Sequence, residues 1–264
     1  MMTTKDDLQV FKTGRKIGNI LGVNVNSTQK NKVLVKVRDL LARKRKFYIV
    51  TPNPEIILKA LKDKNLLSAL NLATISIPDG VGLKLADPSL TIIKGRDLFM
   101  SLISLANKKG WRVFLLGGKG DEALKTAEKL KLSYKKIKLE HASGPILNNM
   151  AKPISESDID IQNDVVNRIN NFKPRFLFVA FGAPKQEKWV NEWLPKLDIG
   201  GAMVVGGTFS YIAGTNKVPP KWMEKAGFEW IWRLLIEPKR LTRILNAVFV
   251  FPLKVFLYKI RSSS

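Results

Sequence analysis

"WRVFLLGGKGDEALKTAEKLKLSYKKIKLE", residues 111–140, decides how the fold is read. Its first eight residues are an apolar run closing on two glycines, the pattern of a strand buried on both faces. "GDEALKTAEKLKL" (120–132) follows at helical spacing, and "KKIKLEHASG" (135–144) reads as a further strand. The alternation continues on both sides. "FYIVTPN" (47–53), "ATISIPDG" (73–80), "RFLFVAFG" (175–182) and "AMVVGG" (202–207) predict strands. Helices are predicted at 29–46, 54–70, 95–110, 158–173 and 185–194. Near-continuous apolar strands between helices indicate a mainly parallel sheet covered on both faces, a Rossmann-like α/β architecture. "KIGNILGVNVN" (16–26) reads as a short N-terminal β-hairpin around Gly22.

In such sheets a ligand sits beyond the carboxyl ends of the strands. The residues just after the strands are therefore candidates: Thr51 and Asn53, Asp79, Gly117 to Gly120, Gly182, and Gly206 to Thr208. Each is also ordinary turn or cap chemistry, and Pro78-Asp79-Gly80 is a strong turn signal in its own right. Their recurrence at one edge is what marks a site.

The chain has 264 residues, with 45 Lys plus Arg against 22 Asp plus Glu and a formal charge of +23. That excess predicts an anionic partner: nucleic acid, a membrane surface or a phosphorylated substrate. Cysteine is absent and histidine occurs once, as His141, which excludes thiolate and His/Cys zinc sites. No G-x-S-x-G elbow and no secretory h-region is present.

Gly118, Gly120 and Ala123 spell G-x-G-x-x-A between a strand and a helix, the context of a dinucleotide fingerprint. An NAD(P)-dependent oxidoreductase therefore stays open as an alternative. Asp158 to Asp160 form a literal D-x-D, but at a helix start, where acids cap and complement the dipole. A nucleic-acid-binding protein also stays open on charge, although the basic residues are spread along the chain and no known nucleic-acid module is present. Near the C-terminus, Arg233, Arg240 and Arg243 alternate with tryptophans and leucines, suited either to a solvated helix face or to phosphate binding. "ILNAVFVFPLKVFLYKIRSSS" (244–264) is too short and charged for a spanning helix and suits the membrane interface or a core helix.

"TPNPEII" (51–57), "IPDGVGL" (77–83), "GAPKQEKW" (182–189), "VGGTFSYIAG" (205–214) and "VPPKWMEKAGFEWIWRLLIEPKRLTRIL" (218–245) together resemble the WecG/TagA/CpsF family, glycosyltransferase family 26. The resemblance implies an inverting, metal-independent transfer in bacterial cell-surface polymer synthesis, with no cofactor. A sugar, N-acetylmannosamine or its uronic acid, moves from a UDP-sugar to a polyprenyl-diphosphate-linked N-acetylglucosamine. It implies a peripheral enzyme on the cytoplasmic face of the plasma membrane, bound to an anionic surface and not to nucleic acid, as a monomer or a homo-oligomer. By position it makes Asp79 the catalytic base with Thr51 and Asn53 as partners, and Gln186 a donor-side residue. Gly206, Gly207, Thr208 and Tyr211 match the nucleotide-binding loop, and Gly117 and Gly118 are added from the strand edge as substrate-binding candidates. Arg233, Arg240 and Arg243 match arginines that neutralise the leaving diphosphate. Two positions depart from the pattern. Ser210 replaces an aspartate, and Ile92 replaces an arginine for which Lys94 or Arg96 would substitute. The expected division is residues 1–216 as the catalytic domain and 217–264 as a helical, membrane-associating appendage.

Overall fold

The computed structural model describes residues 17–220, 222–223, 229–236 and 241–263, apart from the side chains of residues 17, 229, 230, 233, 243 and 261–263. Ile17–Ile20 (β1) and Val23–Asn26 (β2) pair antiparallel. Leu21 and Gly22 both take positive φ, 51° and 90°, at the two-residue turn, which matches the twist of the flanking strands. The Asn71 side chain ties this hairpin to the body. Its Oδ1 accepts from the Asn24 N–H, and its Nδ2 donates to the Gly22 carbonyl, each at 2.9 Å.

The main sheet contains Phe47–Val50 (β3), Ile75–Ser76 (β4), Arg112–Gly117 (β5), Lys138–Ala142 (β6), Phe176–Ala180 (β7) and Gly201–Val204 (β8). Every pairing in it is parallel, and the spatial order is β4-β3-β8-β7-β5-β6. The expected fold class is the observed one. β4 is far shorter than the eight residues predicted for it, because Pro78 has no N–H to donate to a ladder.

Alternation along the strands loads both faces. Tyr48, Val50, Phe114, Leu116, Leu177, Val179, Ala202 and Val204 belong to one buried layer. Phe47, Ile49, Val113, Leu115, Phe176, Phe178 and Met203 belong to the other. The first layer is covered by Pro54–Ala60 (α2), Lys64–Asn71 (α3), Glu156–Phe172 (α6) and Lys185–Trp193 (α7). The second is covered by Lys30–Ala42 (α1), Gly95–Lys109 (α4), Glu122–Ser133 (α5) and Thr208–Ala213 (α8). The single helix predicted over 54–70 is two helices. Asp63 accepts from the Leu66 N–H at 3.0 Å and so starts α3 as its N-cap.

The C-terminal segment continues the first layer. Glu229–Ile236 (α9) and Leu241–Leu245 (α10) are followed by a π-helical turn, Asn246–Val250, and by Phe251–Ser263 (α11). Phe251 and Val255 are buried with Ile57 and Leu83 in that layer, and α11 contacts α2. Phe249, Leu253 and Phe256 on the same segment are 57–65% exposed. The tail thus has both a core-packing stripe and an apolar outer stripe. Among the described residues, no helix is long and apolar enough to cross a membrane.

Charge is also distributed by the sheet. Parallel strands place all their entry points at one edge, and exposed basic residues lead into four of them, β3, β5, β6 and β7: Lys44 to Lys46, Lys108 and Lys109, Lys135 and Lys136, Lys173 and Arg175. Asp198 lies among them. Its bond to Lys173 at 2.9 Å, with Lys46 and Arg112 nearby, holds its carboxyl below the ordinary range. Cations that are dispersed in sequence are gathered in space, at the edge opposite the carboxyl ends.

Candidate active site

At the carboxyl edge the chain leaves β3 and β8 toward opposite faces, since α2 packs in the first layer and α8 in the second. Adjacent strands diverging in this way open a crevice between them. A cleft lies there. Thr51, Asn53, Asp79, Gln186, Gly206, Gly207, Thr208 and Tyr211 all line it. Eight of the candidates chosen from sequence therefore share one cleft, although they are spread from residue 51 to residue 211 of the chain.

Asp79 is fixed by the backbone on either side of it. The Ile77 N–H donates to the Val50 carbonyl at 2.9 Å and completes the short β4 ladder. The Asp79 N–H donates to the Pro52 carbonyl at 2.9 Å, tying the loop after β4 to the loop after β3. Gly80 follows at φ 99°, a conformation that any side chain would oppose. The carboxylate then turns toward the start of α4, where Oδ2 accepts the Gly95 N–H at 3.3 Å. Thr51 flanks the same glycine. A β-carbon on Gly95 would stand 3.1 Å from Thr51 Oγ1 and 3.3 Å from Asp79 Oδ2. The hydroxyl and the carboxylate thereby both border the space that a side chain at residue 95 would fill.

Asn53 caps α2, its Oδ1 accepting from the Ile56 N–H at 2.9 Å, with Pro54 at the first helical position. Its oxygen is committed to the cap, so what it offers a ligand is its amide N–H₂. Opposite, Gln186 is 3% exposed and its Oε1 accepts from two backbone donors, Gly182 N–H and Gly206 N–H, each at 3.2 Å. One side chain thus joins the loop after β7 to the loop after β8. Thr208 donates its hydroxyl to the Val205 carbonyl at 2.7 Å, which closes the turn that presents Gly206 and Gly207.

Lys94 and Arg96 also line the cleft, and the Arg96 guanidinium lies over the Tyr211 ring at 5.6 Å from its centroid. Ile92 packs against the apolar core instead. The cations of this wall are therefore the two that bracket Gly95. Ile56, Val205, Asn216 and Pro219 complete the lining, and none of them was named as a site candidate from sequence. Asn216 carries no motif signal, but it is tied back by its N–H to the Ser210 carbonyl at 3.1 Å. Ser210, which stands where the family pattern has an aspartate, is buried beside it.

Gly117 and Gly118 lie outside the cleft lining, and packing accounts for both. A β-carbon on Gly117 would meet the Ala180 backbone at 2.9 Å, and one on Gly118 would meet the Glu122 β-carbon at 2.9 Å. The dinucleotide-like loop is closed by the chain itself. Glu122 Oε2 accepts the Lys119 N–H at 2.9 Å, and Oε1 accepts from Thr215 Oγ1 at 2.7 Å. A buried carboxylate thus occupies one of the backbone donors that a pyrophosphate would use, and sits where its charge would oppose an anion. The D-x-D reading resolves in the same direction. Asp158 is buried and accepts from the Ile146 N–H and the Ser155 hydroxyl at 2.7 and 2.6 Å. His141 sits on β6, at the far edge of the sheet, and burial together with Lys131 and Arg168 pushes its imidazole down from the usual value. Among the described residues no group of three or more His, Asp or Glu side chains assembles. Arg240 lies outside the described residues, as do the side chains of Arg233 and Arg243, whose backbones belong to α9 and α10.

Residues 18–264 match the model of the glycosyl transferase WecG/TagA/CpsF family. Proteins of Staphylococcus aureus strains NCTC 8325 / PS 47, COL and MW2 are each 30% identical to the chain over 250 residues, covering 92% of it and 91% of the relative. Each is named N-acetylglucosaminyldiphosphoundecaprenol N-acetyl-beta-D-mannosaminyltransferase.

Proposed function

The chain belongs to the WecG/TagA/CpsF family of glycosyl transferases, and from that premise we propose that it transfers N-acetylmannosamine from a UDP-sugar to a polyprenyl-diphosphate-linked N-acetylglucosamine. The observation that carries the chemistry is that Asp79 and Thr51 both border Gly95 and line one cleft with Gln186 and Gly206. The names of the S. aureus relatives support the choice of sugar and acceptor.

An acceptor hydroxyl is a poor nucleophile, and a carboxylate within hydrogen-bond reach that takes its proton typically contributes 10²–10⁴-fold. Asp79 is that base. As its carboxylate receives the proton, the acceptor oxygen bonds to the anomeric carbon. The bond from that carbon to the phosphate oxygen breaks on the opposite face, and UDP departs with the electron pair. Inversion follows from this in-line geometry. Thr51 orients the acceptor hydroxyl beside Asp79, and Asn53 contributes its amide N–H₂. The Gly206-Gly207-Thr208 turn and Tyr211 hold the donor, with Gln186 fixing their position. Lys94 and Arg96 stabilise charge developing on the diphosphate, the task for which preorganised cations are worth most. Arg233, Arg240 and Arg243 are assigned to the same diphosphate, without a metal ion.

The acceptor is lipid-linked, and the tail is suited to the surface in which it resides. Phe249, Leu253 and Phe256 lie along the outer face of a helix whose inner face is buried. Such a stripe inserts at the headgroup boundary, and each nearby cation adds about 1 kcal/mol on an anionic surface. This supports a peripheral location, which we assign to the cytoplasmic leaflet. Residues 217–264 act as an appendage to the catalytic domain 1–216, and Pro219 carries the appendage into the cleft wall.

The test is a panel of UDP-sugars offered with a lipid-diphosphate N-acetylglucosamine acceptor. A disaccharide product with UDP-N-acetylmannosamine is expected. Product only with the uronic acid would revise the donor, and no product with any UDP-sugar would overturn the reading.

A further inference from the structure

Glu187 is 1% exposed and is not part of the cleft lining, yet it touches the side chain that joins the two walls. Gln186 Nε2 donates to Glu187 Oε1 at 2.9 Å, while Gln186 Oε1 accepts the Gly182 and Gly206 N–H groups. The orientation of that amide is consequential. If it were reversed, its N–H₂ would face two backbone donors and both of those hydrogen bonds would be lost. Those two donors hold the amide oxygen, and an acceptor beyond the amide nitrogen completes the observed arrangement. Glu187 supplies it.

The form of Glu187 that does this follows from its surroundings. Glu187 Oε2 has no hydrogen-bond partner among the described residues. The neighbouring cations are matched to other carboxylates. Lys59 bonds Glu55 at 2.8 Å, and Lys188 bonds Asp63 at 2.6 Å. Burial pushes the Glu187 carboxyl up against the smaller opposing effects of Gln186, its own backbone, Lys59 and Lys188. A charge without a dedicated counter-ion in such a place is costly, whereas a neutral acid still offers a carbonyl acceptor.

We propose that Glu187 is a positioning residue that works in its neutral form, locking the Gln186 amide so that one side chain holds the loops after β7 and β8 in register around the donor. The assignment of the donor rests on the function proposed above. The locking of the loops does not.

The experiment compares the wild type with E187Q, E187M, Q186M and Q186M/E187M. Two readouts are taken: steady-state kinetics with UDP-N-acetylmannosamine, and amide hydrogen exchange at Gly182 and Gly206 in ligand-free protein. Glutamine keeps the acceptor and lacks the charge, while methionine fills the volume with neither. E187M is expected to raise the donor KM by about tenfold, with a smaller effect on kcat, and to speed exchange at both glycines. E187Q rescues both readouts. Its stability at neutral pH is not reduced, because a carboxyl whose folded pKa is raised loses stability as pH climbs past its unfolded value. In the double variant, E187M adds nothing to Q186M. Equal impairment of E187Q and E187M would show that the charge is needed, and additive losses would show that Glu187 acts independently of Gln186; either overturns the proposal. Exchange behaving as expected in a protein that uses no UDP-sugar would support the lock and refute the proposed reaction.

Discussion

Gly95→Ala separates the placement of the proposed base, Asp79, from its chemistry. The added β-carbon would stand 3.1 Å from Thr51 Oγ1 and 3.3 Å from Asp79 Oδ2. Carbon and oxygen at rest prefer about 3.5 Å, so each oxygen must retreat by roughly 0.2–0.4 Å. Misplacement of reacting groups by 1 Å costs about 100-fold, and a third of that distance scales to roughly 3- to 10-fold in kcat. The fold should not suffer equally. Gly95 opens α4 without a positive φ, so alanine is tolerated there and gains up to about 0.4–1 kcal/mol from the unfolded state, offsetting the squeeze. The expected result is a kcat reduced 3- to 10-fold, a donor KM nearly unchanged and a melting temperature within a few degrees of wild type. The assay is UDP release at saturating donor and acceptor, with thermal unfolding followed in parallel. Full kcat in a folded variant would refute the claim that Asp79 and Thr51 are positioned against this residue. A kcat loss that tracked a large fall in melting temperature would refute the separation of site from stability.

Four further outcomes are expected. Asp79→Asn lowers kcat by about 10²–10⁴-fold and leaves UDP binding by calorimetry intact; retained turnover would remove it as the base. Lys94→Ala and Arg96→Ala each cost about tenfold in kcat/KM, with or without chelator, as the loss of a charge-assisted phosphate contact should; activity abolished by chelator in the wild type would contradict the metal-free scheme. Replacing Phe249, Leu253 and Phe256 by serine lowers the fraction bound to anionic vesicles without unfolding the protein, since the buried residues of that segment, Phe251 and Val255, are untouched; an unchanged bound fraction would count against the outer stripe. Asp63→Asn reports on acid stability. Burial raises the Asp63 carboxyl, but its bonds to Lys188 and to the Leu66 N–H outweigh this and leave it below 3.8. Its contribution is therefore present at neutral pH and fades as pH falls through that lowered value. The stability gap between variant and wild type should close below about pH 4 in urea melts; a gap constant with pH would mean that packing, not charge, is lost.

The parallel sheet was legible because strands buried on both faces must be apolar throughout, and helices covering them must carry apolar stripes. Both patterns are local. The break at Asp63 was missed because the apolar spacing of 54–70 runs through it, and only the cap bond to Leu66 shows where the helix restarts. The glycine loop after β5 showed the reverse failure. Its spacing fits a phosphate cradle, but the spacing does not reveal that Glu122 folds back onto the Lys119 N–H. Long-range closure filled the place that a local motif left open.

By itself, the sequence determined the class of fold, the edge of the sheet on which chemistry would gather and, through its motifs, the family. These depend on residue type and short spacing. The tertiary structure alone decided which candidates meet. It brought Asp79, Thr51 and the Gln186–Gly206 wall into one cleft, left Gly117 and Gly118 outside it, and put Lys94 and Arg96 in the lining while Ile92 packs on the core. It also gathered scattered cations at the opposite edge and gave the tail one buried and one exposed stripe. The reason is geometric. Parallel strands bring every loop of one kind to one end of the sheet, but which loops become neighbours depends on strand order, and no local pattern encodes that order.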